Sequence, residues 1–224
     1  MTADGGGRPR RRDAQRNRDL LTAAARTAFA EAGLDVPLDE IARRAGVGNA
    51  TLYRHFPDRG ALAEAVFHGM LTERLAAAEE ARRDTDPWAA LVGYLEGTFA
   101  VLAADRGAND LMTAAIPGVP SLAALHAQNR ATLQVLTERA QRDGSMRSDV
   151  STDDLLFSLA ALGRAVPALT TVAPDGWRRF LALLLDGLRT EPGTGLPGEA
   201  LGEGQLTAVL HELGPHRART APGT

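Results

Sequence analysis

The stretch Ala45-Gly46-Val47 constrains this chain more than any other, because apolar residues at helical spacing stand on both sides of it. Ahead of it, Leu38, Ile41, Ala42 and Ala45 recur at i, i+3, i+4 and i+7, which is one face of a short helix. After it, Leu52 and Phe56 repeat that face. Gly46 supplies the left-handed backbone that a tight turn between crossed helices needs and that a Cβ would strain. Packing the two stripes together with Val47 as the wedge predicts a helix-turn-helix. Its second helix then leaves Asn49, Ala50, Thr51, Tyr53, Arg54 and His55 at its start and outer side, where side chains suit a DNA groove.

Chemistry sorts these residues. Asn49 can contact adenine in a bidentate way and Ala50 can lie against a thymine methyl, so both are candidates for base reading, together with the ring and hydroxyl of Tyr53. Thr51, Arg54, His55 and, at the start of the next helix, Arg59 offer donors to phosphate oxygens. Gly48 stands at the N-cap, where glycine costs only a few tenths of a kcal/mol relative to the best caps. His55 also has an ordinary reading as a half-buried histidine bonded to backbone, and no metal-ligand partners stand near it.

The order Ile41-Ala42, Ala45-Gly46-Val47, Thr51-Leu52-Tyr53-Arg54-His55-Phe56, then Arg59 and Leu62, resembles the DNA-binding domain of the TetR/AcrR family of bacterial transcriptional regulators. The match keeps one register through about a dozen positions between Thr27 and Val66, which is far more specific than a lone short motif. It covers roughly the first quarter of the chain; beyond that the likeness is architectural. Two departures are visible. Gly48 stands where many members carry Ser, and Arg59 where Lys is common. The resemblance implies an all-α protein, with an N-terminal three-helix helix-turn-helix domain followed by a helical bundle for effector binding and dimerisation. It implies a phosphate contact at Thr27, a palindromic double-stranded DNA operator bound by a homodimer, and release by a small-molecule effector held among the middle helices.

Composition agrees with a helical chain. Hydrophobic residues make up 44% of 224, with only two Tyr, two Trp and six Phe, so the core must be built mainly from Leu, Ala and Val. With no Cys there is no disulfide framework, thiolate nucleophile or Cys-ligated zinc. No run of 18 or so apolar residues occurs, and no apolar core follows the Arg-rich start, so no membrane span or secretory signal is expected and the expected compartment is the cytoplasm. Charge is uneven. Residues 1–60 hold 11 Arg against 8 acids, a net of +3, whereas the remainder holds 14 Arg against 20 acids, a net of −6. A basic end on an acidic body suits a module that neutralises phosphates. All the basic residues other than His are Arg, none Lys, which reads as a composition bias of the chain.

Taken in order, residues 1–12 form a Gly/Pro/Arg tail, expected to be disordered, that serves either as an arm on phosphates or a minor groove or as a solvated leader. The helix-turn-helix domain is expected over 13–60, with a first helix from Asp13 to Ala32 carrying Leu21, Ala25, Ala28 and Phe29 and stopped by Gly33. A body over 61–190 follows, with helices from the residues after Asp58 to about Arg83, from Pro87 to about Ala104, from Asn109 to Ile116, from Ser121 to about Arg142, from Ser151 to about Thr171 and from Asp175 to about Arg189. Residues 191–224 read as a Gly/Pro-rich tail with a short helix around Glu203 to Leu213. The broad apolar surfaces of the last two body helices point to a second copy packed as a four-helix bundle, through Leu155, Leu159, Leu162, Trp177, Phe180, Leu181, Leu184 and Leu188; the alternative is burial of both faces inside one subunit.

For the effector, Phe67, Leu71, Leu91, Tyr94, Leu95, Phe99, Met112, His126, Asn129 and Phe157 are the candidates, and Tyr94, His126 and Asn129 are the least comfortable as plain core. No cofactor or metal is expected. An enzyme is disfavoured: no Lys exists for a phosphate loop, no Gly-x-Ser-x-Gly elbow occurs, and acid pairs such as Glu79-Glu80 and Asp153-Asp154 suit solvated or helix-starting positions. A constitutive DNA-binding protein without an effector, or a ligand- or partner-binding protein whose DNA function has decayed, remain the other readings.

Overall fold

The computed structural model describes residues 7–113, 118–189, 195–200 and 202–212. Among these there are ten helices and no strand: α1 Gly7–Ala32, α2 Leu38–Arg44, α3 Asn49–His55, α4 Arg59–Arg83, α5 Pro87–Ala104, α6 Arg106–Thr113, α7 Pro120–Arg142, α8 Thr152–Thr170, α9 Gly176–Leu188 and α10 Glu203–Glu212. The fold is all-α, as the spacing of apolar residues requires.

Local chemistry sets most boundaries. Asp58 accepts from the Ala61 amide at 2.8 Å to start α4, and Asp86 accepts from Ala89 at 2.9 Å with Pro87 in the first turn of α5. Ser151 and Asp154 form a reciprocal capping box on α8. Gly33, at φ 81°, closes α1 by donating its amide to Phe29 O.

Two helix starts differ from the sequence reading by more than one residue. Helix α1 starts at Gly7, six residues ahead of Asp13, so part of the expected disordered tail is helical; Pro9 is tolerated because it falls in the first turn, where its missing N–H costs no helix bond. Helix α6 starts at Arg106, since Asp105 Oδ1 accepts from Ala108 N and begins the helix earlier than Asn109. Its expected end at Ile116 lies outside the described residues, as do residues 1–6, 190–194 and 213–224. In the C-terminal tail α10 forms, and Leu206 is buried.

Two apolar clusters divide the interior. The first holds Leu21, Phe29, Ile41, Leu52, Phe56, Leu62, Phe67 and Leu71, and it recruits Ala108, Leu111, Leu122 and Leu125 from α6 and α7. The second holds Leu91, Leu95, Phe99, Leu133, Leu136, Leu155, Trp177 and Leu181. Helix α4 runs through both, with Phe67 in the first and Ala78 in the second. Because α6 and the start of α7 lie in the first cluster, the body grips the helix-turn-helix from behind. Helix α5 is the only helix among the described residues long and apolar enough to cross a membrane; its stripe from Ala90 to Leu102 is buried in the second cluster, as expected of a core helix.

Candidate nucleic-acid interface

The turn between α2 and α3 closes as a Schellman motif. Gly46 at φ 67° donates to Arg43 O at 3.1 Å and Val47 donates to Ala42 O at 3.0 Å, which satisfies the last carbonyls of α2. No atom crowds the place a Gly46 Cβ would take, so backbone conformation alone demands the glycine. Helix α3 starts without a side-chain cap at Gly48, whose carbonyl accepts from Thr51 and Leu52. Leu52 and Phe56 are buried, and Val47 packs at the rim of the same cluster.

The opposite face is open. Gly48, Asn49, Ala50, Tyr53 and Arg54 are exposed, Tyr53 at 52%, which is high for an aromatic ring with no packing duty. Thr51 and His55 are half-buried at its edges. Arg54 donates to the Thr51 hydroxyl at 3.0 Å, so these two phosphate candidates act as one polar unit. Thr27 is exposed on α1 and its hydroxyl donates to Ala23 O at 3.3 Å within its own helix, a bond the proton leaves when it turns to an outside acceptor.

Arg59 has a structural duty within the fold. Its guanidinium donates to Val36 O at 2.7 Å and also to Leu34 O, holding the loop between α1 and α2. Through Nη1 Arg59 clamps the loop, a structural duty that spacing along the chain did not suggest. Asp110 grips the same loop from the body, its carboxylate accepting from Leu34 N at 3.0 Å, and burial pushes that carboxyl above its ordinary pKa. Arg26 pairs with Asp105 at 2.8 Å beside it.

Two further arginine sites escaped the sequence reading. Arg43 and Arg44 converge on Glu40, and their hydrogen bonds hold the Glu40 pKa down to about 2. Arg18 lies 4.5 Å from the Phe56 ring centroid and donates to His55 O at the end of α3. The i, i+4 spacing of Glu40 and Arg44 could have signalled the first; nothing local signals the second, which joins residues 37 apart.

The effector candidates are spread over both apolar clusters and the surface. Phe67 and Leu71 belong to the first cluster, with Phe67 stacked on Phe29 at 6.1 Å. Leu91, Leu95 and Phe99 are core in the second, Phe99 against Trp177 at 6.2 Å. Met112 borders both clusters, and Phe157 is exposed on the outer side of α8. The three polar candidates do make internal bonds: Tyr94 donates to Asn129 Oδ1 at 2.8 Å, and His126 Nε2 lies 3.2 Å from Met112 O. Desolvation raises the Tyr94 pKa and lowers that of His126. An open cleft of about 700 Å³ lies between α1 and α4, lined by Arg18, Thr22, Arg26, Glu64 and His68 and by none of the ten candidates.

The dimer candidates also divide. Leu155, Trp177, Leu181 and Leu188 are buried within the subunit, because α8 and α9 turn these residues toward α5 and toward each other. Leu159, Leu162 and Leu184 are half-buried, and Phe180 is 47% exposed beside Leu183 at 58%.

The family description for the N-terminal domain of bacterial regulatory proteins of the tetR family matches residues 21–66, and that for the SbtR-like transcriptional regulator C-terminal domain matches residues 86–190. An HTH-type transcriptional regulator of Mycobacterium bovis is 34% identical over 134 residues, 58% of this chain and 68% of that protein. The chain belongs to the TetR family of transcriptional regulators. A TetR regulator from Streptomyces coelicolor is likewise 34% identical, over 77% of this chain and 98% of that one, with a TM-score of 0.49. The fold is shared by FadR of Bacillus subtilis, solved with stearoyl-CoA, at a TM-score of 0.57 and 15% identity over 76% of this chain and 99% of that one. This TetR regulator therefore comes from a non-enzymatic, DNA-binding family, and α3 is the second helix of its helix-turn-helix.

Proposed function

We propose that this TetR regulator is a repressor that binds a palindromic operator as a homodimer and leaves it when a small molecule enters its helical body. The observation that carries the reading is the division of α3: Leu52 is fully buried while Asn49, Ala50, Tyr53 and Arg54 are exposed on the other side. Asn49, Ala50 and Tyr53 read base edges, while Thr51, Arg54, His55 and Thr27 hold phosphates. Residues 13–60 form the reading unit and 61–190 the sensing and pairing unit, and DNA as partner implies the cytoplasm.

Pairing uses the outer side of α8 and α9, where Phe157, Phe180 and Leu183 remain exposed. Two copies are needed to place two reading heads about one DNA turn apart. The Tyr94–Asn129 hydrogen bond supports a polar anchor in the sensing unit, since a ligand that replaces either partner would part α5 from α7. FadR with stearoyl-CoA and a gamma-butyrolactone receptor share this fold at 15% and 22% identity, which sets no ligand chemistry for this chain.

Selection of bound duplexes from a random pool, repeated with candidate effectors, tests the reading. A palindromic consensus that is lost on addition of one compound is the expected result. A monomeric protein with no preference among duplexes would end it, and a consensus indifferent to every compound would leave a constitutive binder.

A further inference from the structure

We propose that the effector is an apolar molecule carrying one oxyanion, a carboxylate or a sulfonate, and that Arg74 and the Tyr94 hydroxyl take this group between α4 and α5. The inference rests on the reading of the body as the sensing unit and names the chemistry to which that unit responds. Its basis is a cation without a counter-charge. Arg74 is half-buried on α4, and no carboxylate among the described residues pairs with it. Arg82, two turns further along the same helix, differs in donating to Glu79. A half-buried guanidinium has given up part of its hydration, and an oxyanion is the group that restores its hydrogen bonds most strongly.

Helix α5 leaves room for such a group. Gly97 lies inside α5, where glycine weakens a helix relative to alanine, and a Cβ on it would come within 3.2 Å of Arg74 Nη1. One turn earlier, on the same side of α5, Gly93 is exposed, and a Cβ on it would meet no atom among the described residues. The guanidinium thus rests on one glycine with open space over the next, which gives a way in from solvent. Met70 and Ala77 on α4 and Val101 on α5 stand about one turn from Arg74 and Gly97, and all three are half-buried. Walls of this kind suit an apolar body, with the guanidinium as the placed polar group.

The second donor is Tyr94. Arg74 lies 6.0 Å from its ring centroid, and its hydroxyl donates to Asn129 Oδ1 at 2.8 Å. Burial raises the Tyr94 pKa while the charges of Arg74 and Arg82 oppose that rise, so two guanidiniums face a phenol that keeps its proton and can donate it. Three buried polar atoms lack a partner among the described residues, and all are on α4 or α7: Arg82 Nε, Thr132 Oγ1 one turn past Asn129, and Thr137 Oγ1 beyond it. An oxyanion that draws the Tyr94 hydroxyl from Asn129 breaks the polar link between α5 and α7. Its bond to Arg74 acts on α4, the helix that also places Phe67 in the cluster under the reading head.

The test uses a matched pair of fluorescent probes on the full-length protein. One is 8-anilino-1-naphthalenesulfonate, and the other is N-phenyl-1-naphthylamine, the same rings without the sulfonate. Arg74→Gln should weaken the sulfonate by about ten- to a hundredfold, the loss of a hydrogen bond to a charged group, and change the neutral probe by less than about twofold. Arg74→Lys, which keeps the charge, should recover most of that loss, and Tyr94→Phe should weaken the sulfonate by about two- to tenfold. Arg83→Gln, at an exposed arginine of the same helix, should leave both probes as they are. An R74Q variant that binds the sulfonate as the wild type does would overturn the proposal. So would one that loses both probes alike, or an R83Q variant that loses the sulfonate as far as R74Q does. The same titrations are repeated on the protein bound to its selected palindrome, where the sulfonate should release the wild type and not R74Q. Sulfonate bound through Arg74 with the duplex still held would keep the anion site and sink the effector reading. Release by the neutral probe and not by the sulfonate would keep the effector reading and sink the oxyanion.

Discussion

The reading head and the sensing body use the same kinds of helix in opposite ways. In α3 the candidates named for function are exposed or, at Thr51 and His55, half-buried at its edges, and Leu52 between them is core. In α4, α5 and α7 the apolar candidates named for function are themselves core, and the polar ones are bonded to each other or to backbone. A surface that recognises a partner is left over by folding, so it can be found by subtracting the packing stripe. A cavity is the failure of several stripes to meet, and no single stripe reveals it.

Removing Phe67 gives the largest expected effect. It stacks on Phe29 in the centre of the first cluster, so Phe67→Ala should cost about 3–5 kcal/mol of stability, read as a shift in urea midpoint. Phe157→Ala, on the exposed side of α8, should leave monomer stability nearly unchanged. If the two variants were destabilised alike, the division between core and surface candidates would be misplaced.

Arg59→Ala comes next. It strips a charged donor from two carbonyls, Leu34 O and Val36 O, at a cost of about 1.5–3 kcal/mol of stability. A variant of full stability whose DNA binding showed a salt slope reduced by about one would instead return Arg59 to the phosphates.

Asn49→Ala leaves the fold alone and should relax preference at one operator position by about 1–3 kcal/mol, as measured by competitive selection. An unaltered consensus would remove Asn49 from base reading.

The smallest effect is electrostatic. Glu40 is held at about 2, below the ordinary value of 4.5, first by its hydrogen bond to Arg43 and then by Arg44. A lowered acid contributes stability that is fully present above the ordinary carboxylate value and is lost as pH falls through about 2. Acid unfolding of Glu40→Gln should therefore be slightly less pH-dependent than that of the wild type between those values, and an identical curve would show that solvent screens the triad completely.

How much was legible follows from range. The Gly46 turn, the α3 faces and most helix bounds depend on residues within one or two turns of each other. The loop clamp of Arg59, the seat of Arg18 beside His55 and Phe56 and the grip of Asp110 on Leu34 join residues 23 to 76 positions apart, and each replaced or added a role that spacing alone did not suggest. The early start of α1 is a different case. Its Gly and Pro read as breakers, yet both fall in the first turn, where the helix asks nothing of their amides.

By itself, then, the order of residues determined that the chain is helical, where it turns and which side of α3 faces outward, since all of these follow from periodicity and backbone preference along one helix. Only the tertiary structure decided which arginines are tied to loop carbonyls and rings and which apolar residues are core. A side chain's role depends on which carbonyl, ring or carboxylate lies nearest, and here those neighbours come from distant parts of the chain.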